Sequence, residues 1–458
     1  MPQMIMRLRL TIPFFWLAAS SALFGQELPN LVVFLSDDMG RADSSVYGSP
    51  DARTPTMEKL AANGMTFDQA YVASPSCCPN RFSLLTGLMP ARHGAHANHT
   101  EVYPGTKFLF PILDEMGYTV VSFGKVAHGT REFDGLDFHS PSPRNMSVAV
   151  REWLASSDVE EPVCLLVGDR RPHVAWSEES IYDPDEIHLP DYLVDTPETR
   201  SHWARYLTDI TGMDEEMGRI HDIATELFGG EFMFLFTSDH GGQWPRGKWN
   251  LYETGVRIPL IVSWPGHVAK GVRTDAMVSW VDIVPTLIDA AGGTAPGDID
   301  GRSFLPVLNR ESSEHRDRIF TTHTGDKIMN IFPIRSVRIG KYKYIHNLRS
   351  DAYFTNHSDR LRKDGAGAFW DEWDEAAKVD PKAAAIIRDY YTREEFELFD
   401  LEEDPMEYSN LAWNPEYIDV MKRMRKELAE WAESQGDDLK PHREPYLRSE
   451  PIPDLRGQ

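Results

Sequence analysis

Residues able to do hydrolytic chemistry gather in a few short stretches of this chain. Residues 74–87 read Ser-Pro-Ser-Cys-Cys-Pro-Asn-Arg-Phe-Ser-Leu-Leu-Thr-Gly, with Cys77, Pro79 and Arg81 at alternate positions ahead of an apolar run. Pro79 suits the first turn of a helix and Gly87 its end. Cys77 then stands beside a helix N-terminus, where free N–H groups and the positive dipole end favour an anion. Arg81, about one turn on, can pair with an oxyanion or with the Cys77 side chain. Asp37 and Asp38 are adjacent carboxylates, which repel each other and are satisfied by a cation. Asp239 and His240 can complete the same cation site. Lys125 and His128 can clamp an anion and move a proton. His173 follows Arg170 and Arg171, and Lys248 is a further cation. Each stretch also has a plainer reading: a buried structural cysteine, a solvated or exposed turn, a structural histidine, a surface lysine.

Such residues need a rigid sheet behind them. Residues 31–35, 119–123, 163–167 and 232–236 are short apolar runs of the kind that form buried parallel strands, and each is followed at once by one of these groups. Open α/β sheets place their sites just beyond such strand ends. Thr54 and Pro55 open a helix that Gly64 closes, and 66–72 reads as a strand leading into the cysteine stretch. Thr196 and Pro197 start a long helix with apolar positions at Tyr206, Ile210, Met213, Met217 and Ile220. Residues 260–263 read as another strand and 281–291 as an apolar helix. From about Ile334 the pattern alternates, giving antiparallel strands around a Gly340-Lys341 turn, a further strand after Glu397 and an amphipathic helix at 416–431. The expected division is a catalytic unit at 26–333 and a C-terminal unit at 334–458. The loop carrying Arg92, His93, His96, Asn98 and His99 has no regular period and reads as a specificity segment or as ordinary surface.

Cys77-x-Pro79-x-Arg81 with Leu84-Leu85-Thr86-Gly87 resembles the signature of type I sulfatases. The likeness continues through Asp37-Asp38, Lys125-x-x-His128, Pro172-His173, Asp239-His240, and Lys248 ahead of Tyr252-Glu253-Thr254-Gly255-Val256-Arg257-Ile258-Pro259, spanning about residues 31–412. It implies an α/β, alkaline-phosphatase-like sandwich: a large mixed, mostly parallel sheet flanked by helices, plus a small C-terminal antiparallel sheet with one helix. It implies oxidation of Cys77 to formylglycine by a formylglycine-generating maturation enzyme, the hydrated aldehyde then attacking sulfur. One Ca2+ is implied at Asp37, Asp38, Cys77, Asp239 and His240. Arg81, Lys125 and Lys248 would bind the sulfate, His128 would hold the hydrate or accept its proton, and His173 would protonate the leaving group. His93, His96, His99 and Arg171 are the candidate substrate contacts. Asn80 departs from the family's usual Ser or Ala, and Thr254 from its Gly. Residues 182–200, 333–337 and 346–348 resemble heparan N-sulfatase, whereas the Lys125–His128 spacing and Asp239-His240 lean towards the iduronate-2-sulfatase branch. The implied substrate is a sulfated polysaccharide or oligosaccharide, with algal polysaccharide and glycosaminoglycan both open.

The formal charge of −24 over 458 residues excludes nucleic acid as a natural partner and requires a local cationic pocket for any sulfated one. Arg7 and Arg9 before an apolar run at 10–24 read as a signal peptide ending near residue 25, so a periplasmic or secreted protein with no stable membrane anchor is expected. Three cysteines, Cys77, Cys78 and Cys164, make no disulfide framework. Two other activities fit the same residues: a formylglycine-dependent phosphodiester or phosphonate hydrolase, and a catalytically silent glycan-binding protein in which Cys77 stays a thiol.

Overall fold

The apolar runs that end in an acid, a lysine or a histidine are strands of one sheet in the computed structural model, which describes residues 28–128, 133–142, 145–156 and 162–456. In chain order the strands are β1 (Asn30–Ser36), β2 (Met65–Phe67), β3 (Thr119–Gly124), β4 (Phe138–Ser140), β5 (Val163–Gly168), β6 (Phe232–Ser238), β7 (Leu260–Ser263) and β8 (Val272–Thr274). They lie in the order β8-β2-β7-β6-β1-β5-β3-β4. β1 runs parallel to β5 and β6, and β3 to β4 and β5. Only β7 opposes its neighbours, β2 and β6. The segment expected as one strand at 66–72 is split: β2 takes its first part, and Ala70–Tyr71 joins a separate three-stranded sheet.

Register carries the site. Ser36 pairs with Ser238, Leu35 with Gly168, and Gly124 with Gly168, so β6, β1, β5 and β3 all end at one level. The chain beyond each end therefore delivers Asp239-His240, Asp37-Asp38, Asp169 to His173, and Lys125 to His128 side by side. Two glycines permit this crowding. A Cβ on Gly168 would stand 2.2 Å from the Lys125 carbonyl oxygen, and Gly124 turns with φ +72°.

Helices close both faces. α1 (Pro55–Asn63) receives its N-terminal cap from the long α3 (Pro197–Leu227): Asp214 accepts from Thr56 N at 2.8 Å and from Met57 N at 2.9 Å. Between them in sequence, α2 (Cys77–Thr86) is buried along its entire length and stops where Gly87 adopts φ +68°. Such a helix cannot present a charged residue to water, so Arg81 on it must find its partners inside.

A second sheet, β9 (Arg318–His323), β10 (Ile334–Ile339), β11 (Tyr342–Asn347) and β12 (Phe396–Asp400), is antiparallel throughout. α4 (Ile418–Gln435) packs Met421, Met424 and Leu428 against its Val337, Tyr344 and Leu398. The sheet begins before residue 334, because β9 alternates too briefly to be read as a strand. Between β11 and β12 the chain forms further helices, Phe369–Ala376 and Pro381–Tyr391 among them, so this part holds more than the one helix expected. Ile319, Ile334, Ile345 and Phe399 join the same apolar core as β1 and β6, and the two sheets share one interior. The signal-like segment with Arg7 and Arg9 lies outside the described residues, and no described helix is long and apolar enough to cross a membrane.

Candidate active site

Asp37, Asp38, Cys77, Asp239 and His240 bring one ligand atom each to within 4.8 Å of one another, all buried. Two strand ends and a helix start build this cluster. β1 supplies the aspartate pair, and Asp38 takes a left-handed backbone turn (φ 69°) that lets its N–H bond the Asp239 carboxylate at 3.0 Å. β6 supplies Asp239 and His240. α2 supplies Cys77 at its first residue, one position further into the helix than expected. Three carboxylates and an imidazole in an enclosed pocket are a donor set for a hard divalent cation, with the oxygens in the majority.

Arg81 is fully enclosed. Its guanidinium pairs with Asp239 Oδ2 at 2.9 Å and Asp37 Oδ1 at 3.2 Å, and it donates to the carbonyl oxygens of Lys125 and Val126. With these partners, Arg81 organises the carboxylates. Asn80, where the family more often has Ser or Ala, ties the same region together. Its Oδ1 accepts from Ala73 N at 2.9 Å and its Nδ2 donates to the Asp239 carbonyl at 2.5 Å.

Each lysine sits on one carboxylate of the aspartate pair. Lys125 pairs with Asp37 Oδ2 and lies 3.4 Å from Cys77 Sγ. Lys248 lies 2.8 Å from both oxygens of Asp38. Burial works against charge on each lysine, but Asp37 beside Lys125 and Asp38 beside Lys248 outweigh it and hold both above the ordinary lysine range. Burial likewise raises the Cys77 thiol, yet Lys125, Lys248 and His240 overcome this and leave it well below the usual cysteine range. Asp37 is depressed for the same reason, with Lys125 and Arg81 prevailing over burial. Asp239 goes the other way, because burial there exceeds the help of His240 and Arg81.

His240 Nε2 lies 3.4 Å from Cys77 Sγ. His173 is anchored by its Nδ1 on the Val174 carbonyl at 2.5 Å. Burial lowers its pKa, but Asp38, Asp37 and a hydrogen bond with Cys77 raise it overall. His128 bonds His99, Nε2 to Nδ1, at 2.9 Å, and burial pushes its pKa down to about 4. Every expected catalytic and metal-ligating residue therefore lies in or beside one cluster.

The expected substrate contacts do not stay together. His93 is fully buried, its Nε2 between Ser83 Oγ and the Pro79 carbonyl at 3.1 Å each and its Nδ1 accepting from Ala95 N. It braces α2 and cannot meet a substrate. Arg171 turns away, clamping Asp169 at 2.6 and 3.0 Å with its guanidinium against Gly212 of α3. His96 bonds the Tyr103 hydroxyl at 3.2 Å and answers electrostatically to Asp437 and Arg335. Only His99 reaches the cluster. Asp326, beyond the end of β9, accepts from Asn98 Nδ2 at 2.8 Å and Trp249 Nε1 at 3.2 Å, while Asn98 Oδ1 accepts the Cys78 N–H at 3.1 Å. Sequence reasoning passed over Asp326, because the strand it follows, β9, could not be read from its residues. Cys78 packs with Phe82, Ala95 and Val102, its thiol pushed up to about 12 by burial.

The chain is similar to several known proteins. The Sulfatase family model matches residues 29–145 and 137–293, and the model for the C-terminal part of N-sulphoglucosamine sulphohydrolase matches residues 243–362. An ulvan-active sulfatase of Formosa agariphila is 28% identical over 92% of this chain and 83% of its own length. The N-sulphoglucosamine sulphohydrolase of Homo sapiens is 27% identical over 88% of this chain and 89% of its own length. Among solved structures, one bound to its substrate D-glucosamine-2-N,6-O-disulfate superposes with a TM-score of 0.68, at 18% identity, over 90% of this chain and 99% of that one. The phosphonate monoester hydrolase of Agrobacterium radiobacter shares the fold equally well, with a TM-score of 0.69 at 17% identity over 89% and 96% of the two chains. The chain belongs to the sulfatase family and is a sulfuric ester hydrolase.

Proposed function

We propose that this protein is an exported glycan sulfatase that removes sulfate groups from a sulfated polysaccharide or oligosaccharide, with residue 77 as formylglycine and one Ca2+ in the carboxylate cluster. The observation that carries the reading is the position of Cys77. It is buried at the first residue of α2, 3.4 Å from both the Lys125 ammonium and His240 and 3.7 Å from Asp37. A structural cysteine needs no such charge around it. The glycan part rests on the relatives, one named for ulvan and one for N-sulphoglucosamine. Export rests on the basic and then apolar order of residues 7–24.

Asp37, Asp38, Asp239 and His240 would hold the cation. When present, the hydrated aldehyde supplies a hydroxyl nucleophile and the cation supplies Lewis-acid charge at the sulfate oxygens. The rest is the work of this chain's side chains. Lys125 and Lys248 bring two ammonium groups within electrostatic reach of residue 77, where charge builds on the sulfate in the transition state. Arg81 holds Asp37 and Asp239 in place for the cation. His173 is placed to protonate the departing sugar oxygen or nitrogen, and His128 to take a proton from the residue-77 hydroxyl.

The test is free sulfate release from a panel of N- and O-sulfated oligosaccharides, using protein co-expressed with a formylglycine-generating enzyme. Phosphate diesters and phosphonates serve as controls. Release from at least one sulfated glycan, with formylglycine at residue 77 confirmed by peptide mass, is the expected result. Confirmed formylglycine with turnover of phosphorus esters alone would overturn it in favour of the phosphonate-hydrolase rival. A residue 77 that stays a thiol in every host would point to the silent glycan-binding protein.

A further inference from the structure

A chain of polar groups leads away from the nucleophile through His128. His128 Nε2 and His99 Nδ1 are 2.9 Å apart, so one of the two must donate to the other. On the far side of the same ring, His99 Nε2 faces Asp326 Oδ1 at 3.7 Å. Asp326 Oδ2 is already engaged by Asn98 and Trp249, both of which only donate there, and Oδ1 has no hydrogen-bond partner. Burial favours the neutral acid on Asp326, but His357, the Asn98 bond and His99 prevail and keep it ionised. Burial also lowers His99 and favours its neutral ring.

These facts favour one arrangement of the protons. A carboxylate oxygen accepts only, so although 3.7 Å is longer than a hydrogen bond, its charge favours the tautomer that turns the His99 N–H towards it over the one that turns a lone pair there. This preference puts the proton of His99 on Nε2 and leaves its Nδ1 as the acceptor. His128 must then donate from Nε2, which leaves the lone pair on its Nδ1. That nitrogen is buried and has no hydrogen-bond partner among the described residues. His128 is also within electrostatic reach of Cys77. Asn98 closes the ring, since the side chain that bonds Asp326 also accepts the Cys78 N–H.

We propose that Asp326 and His99 are positioning residues that set the tautomer of His128, holding its Nδ1 lone pair free to receive a proton from the residue-77 hydroxyl. This rests on the role given to His128 above and reassigns His99, which sequence reasoning placed among the substrate contacts. A base aimed through a second imidazole by a buried acid follows the same physical logic as a base oriented by a single carboxylate.

The arrangement is tested first without turnover. In 15N-histidine-labelled wild-type protein, with the His128 signals assigned by their loss in His128→Gln, the expected result is a protonated Nε2 and an unprotonated Nδ1. A protonated Nδ1 overturns the proposal, and this arm decides it even if the protein hydrolyses no sulfate ester. The second arm is Asp326→Asn. An asparagine can keep its oxygen towards Asn98 and Trp249, but it turns an N–H towards His99 and reverses every proton in the chain. The expected loss in kcat is roughly 10²-fold or more, the span of general-base catalysis, with KM changed less than about threefold and Tm retained. If Asp326 served packing alone, this near-isosteric change would leave kcat near wild type, and that result would also overturn the proposal.

Discussion

Asn80 joins two strand-end loops through bonds that an apolar side chain cannot copy. Its side chain is fully buried, taking the Ala73 N–H and giving to the Asp239 carbonyl. Asn80→Ala leaves one buried donor and one buried acceptor without partners. Each such group costs about 1–3 kcal/mol, so about 2–6 kcal/mol of unfolding free energy should be lost. With unfolding entropy near ~2.1 cal/mol/K per residue, a chain of 458 residues loses roughly 1 °C of Tm per kcal/mol. The expected drop is therefore about 2–6 °C. Asn80→Ser, whose shorter hydroxyl can serve only one of the two groups, should fall between alanine and wild type. Differential scanning calorimetry at matched scan rate, with urea midpoints as a second probe, measures both. An alanine variant melting within about 1 °C of wild type would refute the reasoning, since it would mean that neither group depends on Asn80.

Cys77→Ser should abolish turnover in a host whose maturation enzyme oxidises only cysteine; normal sulfate release with the serine shown unmodified by mass would exclude the formylglycine mechanism. Lys248→Met removes a positive charge from both oxygens of Asp38, so Ca2+ should bind at least ~10-fold more tightly by titration calorimetry while turnover collapses, and weaker binding would contradict it. His93 is buried with its pKa pushed down to about 3, whereas in the unfolded chain it titrates near ~6.5. Between these values only the unfolded state takes up the proton. The contribution of His93 is thus fully present above about pH 6.5 and lost at about 1.4 kcal/mol per pH unit as pH falls towards the folded value. His93→Gln should flatten the fall in urea midpoint between about pH 7 and 5 by this amount, and an unchanged slope would be the contrary result.

The strand ends were legible because a strand buried on both faces is a continuous apolar run, and the residues after it can be read directly. Register then placed those residues together without further information. β8 spans only three residues, too few to show a period, and it depends on pairing with β2 that no local pattern reveals. His93 and Arg171 misled for a related reason: a residue type can be read from sequence, but not the direction of its side chain. His93 faces α2, and Arg171 finds Asp169 two positions away before it can reach the cluster. Asp326 was missed because its meaning lies in Asn98, 228 positions distant. The Arg81 motif shows its charge but not its complete burial or its two carboxylate partners.

A protein with a formal charge of −24 must still draw an anionic sulfate ester into its interior. The cluster suggests how the two are reconciled. Asp37, Asp38 and Asp239 face Arg81, Lys125 and Lys248, so the fixed charges nearly cancel before any cation is added. A divalent cation among the carboxylates makes the pocket positive in a region of low dielectric, where each charge acts far more strongly than one on the surface. The acidic exterior contributes little at this depth, because solvent and salt screen it over about 10 Å. The same balance explains why the lysines sit on carboxylates. Two bare ammonium groups could not be buried alone, and Asp38 and Asp37 keep Lys248 and Lys125 charged until a sulfate oxygen can share them. Pairing each lysine with a prospective cation ligand couples the two tasks: what holds the cation also holds, in register, the groups that meet the anion.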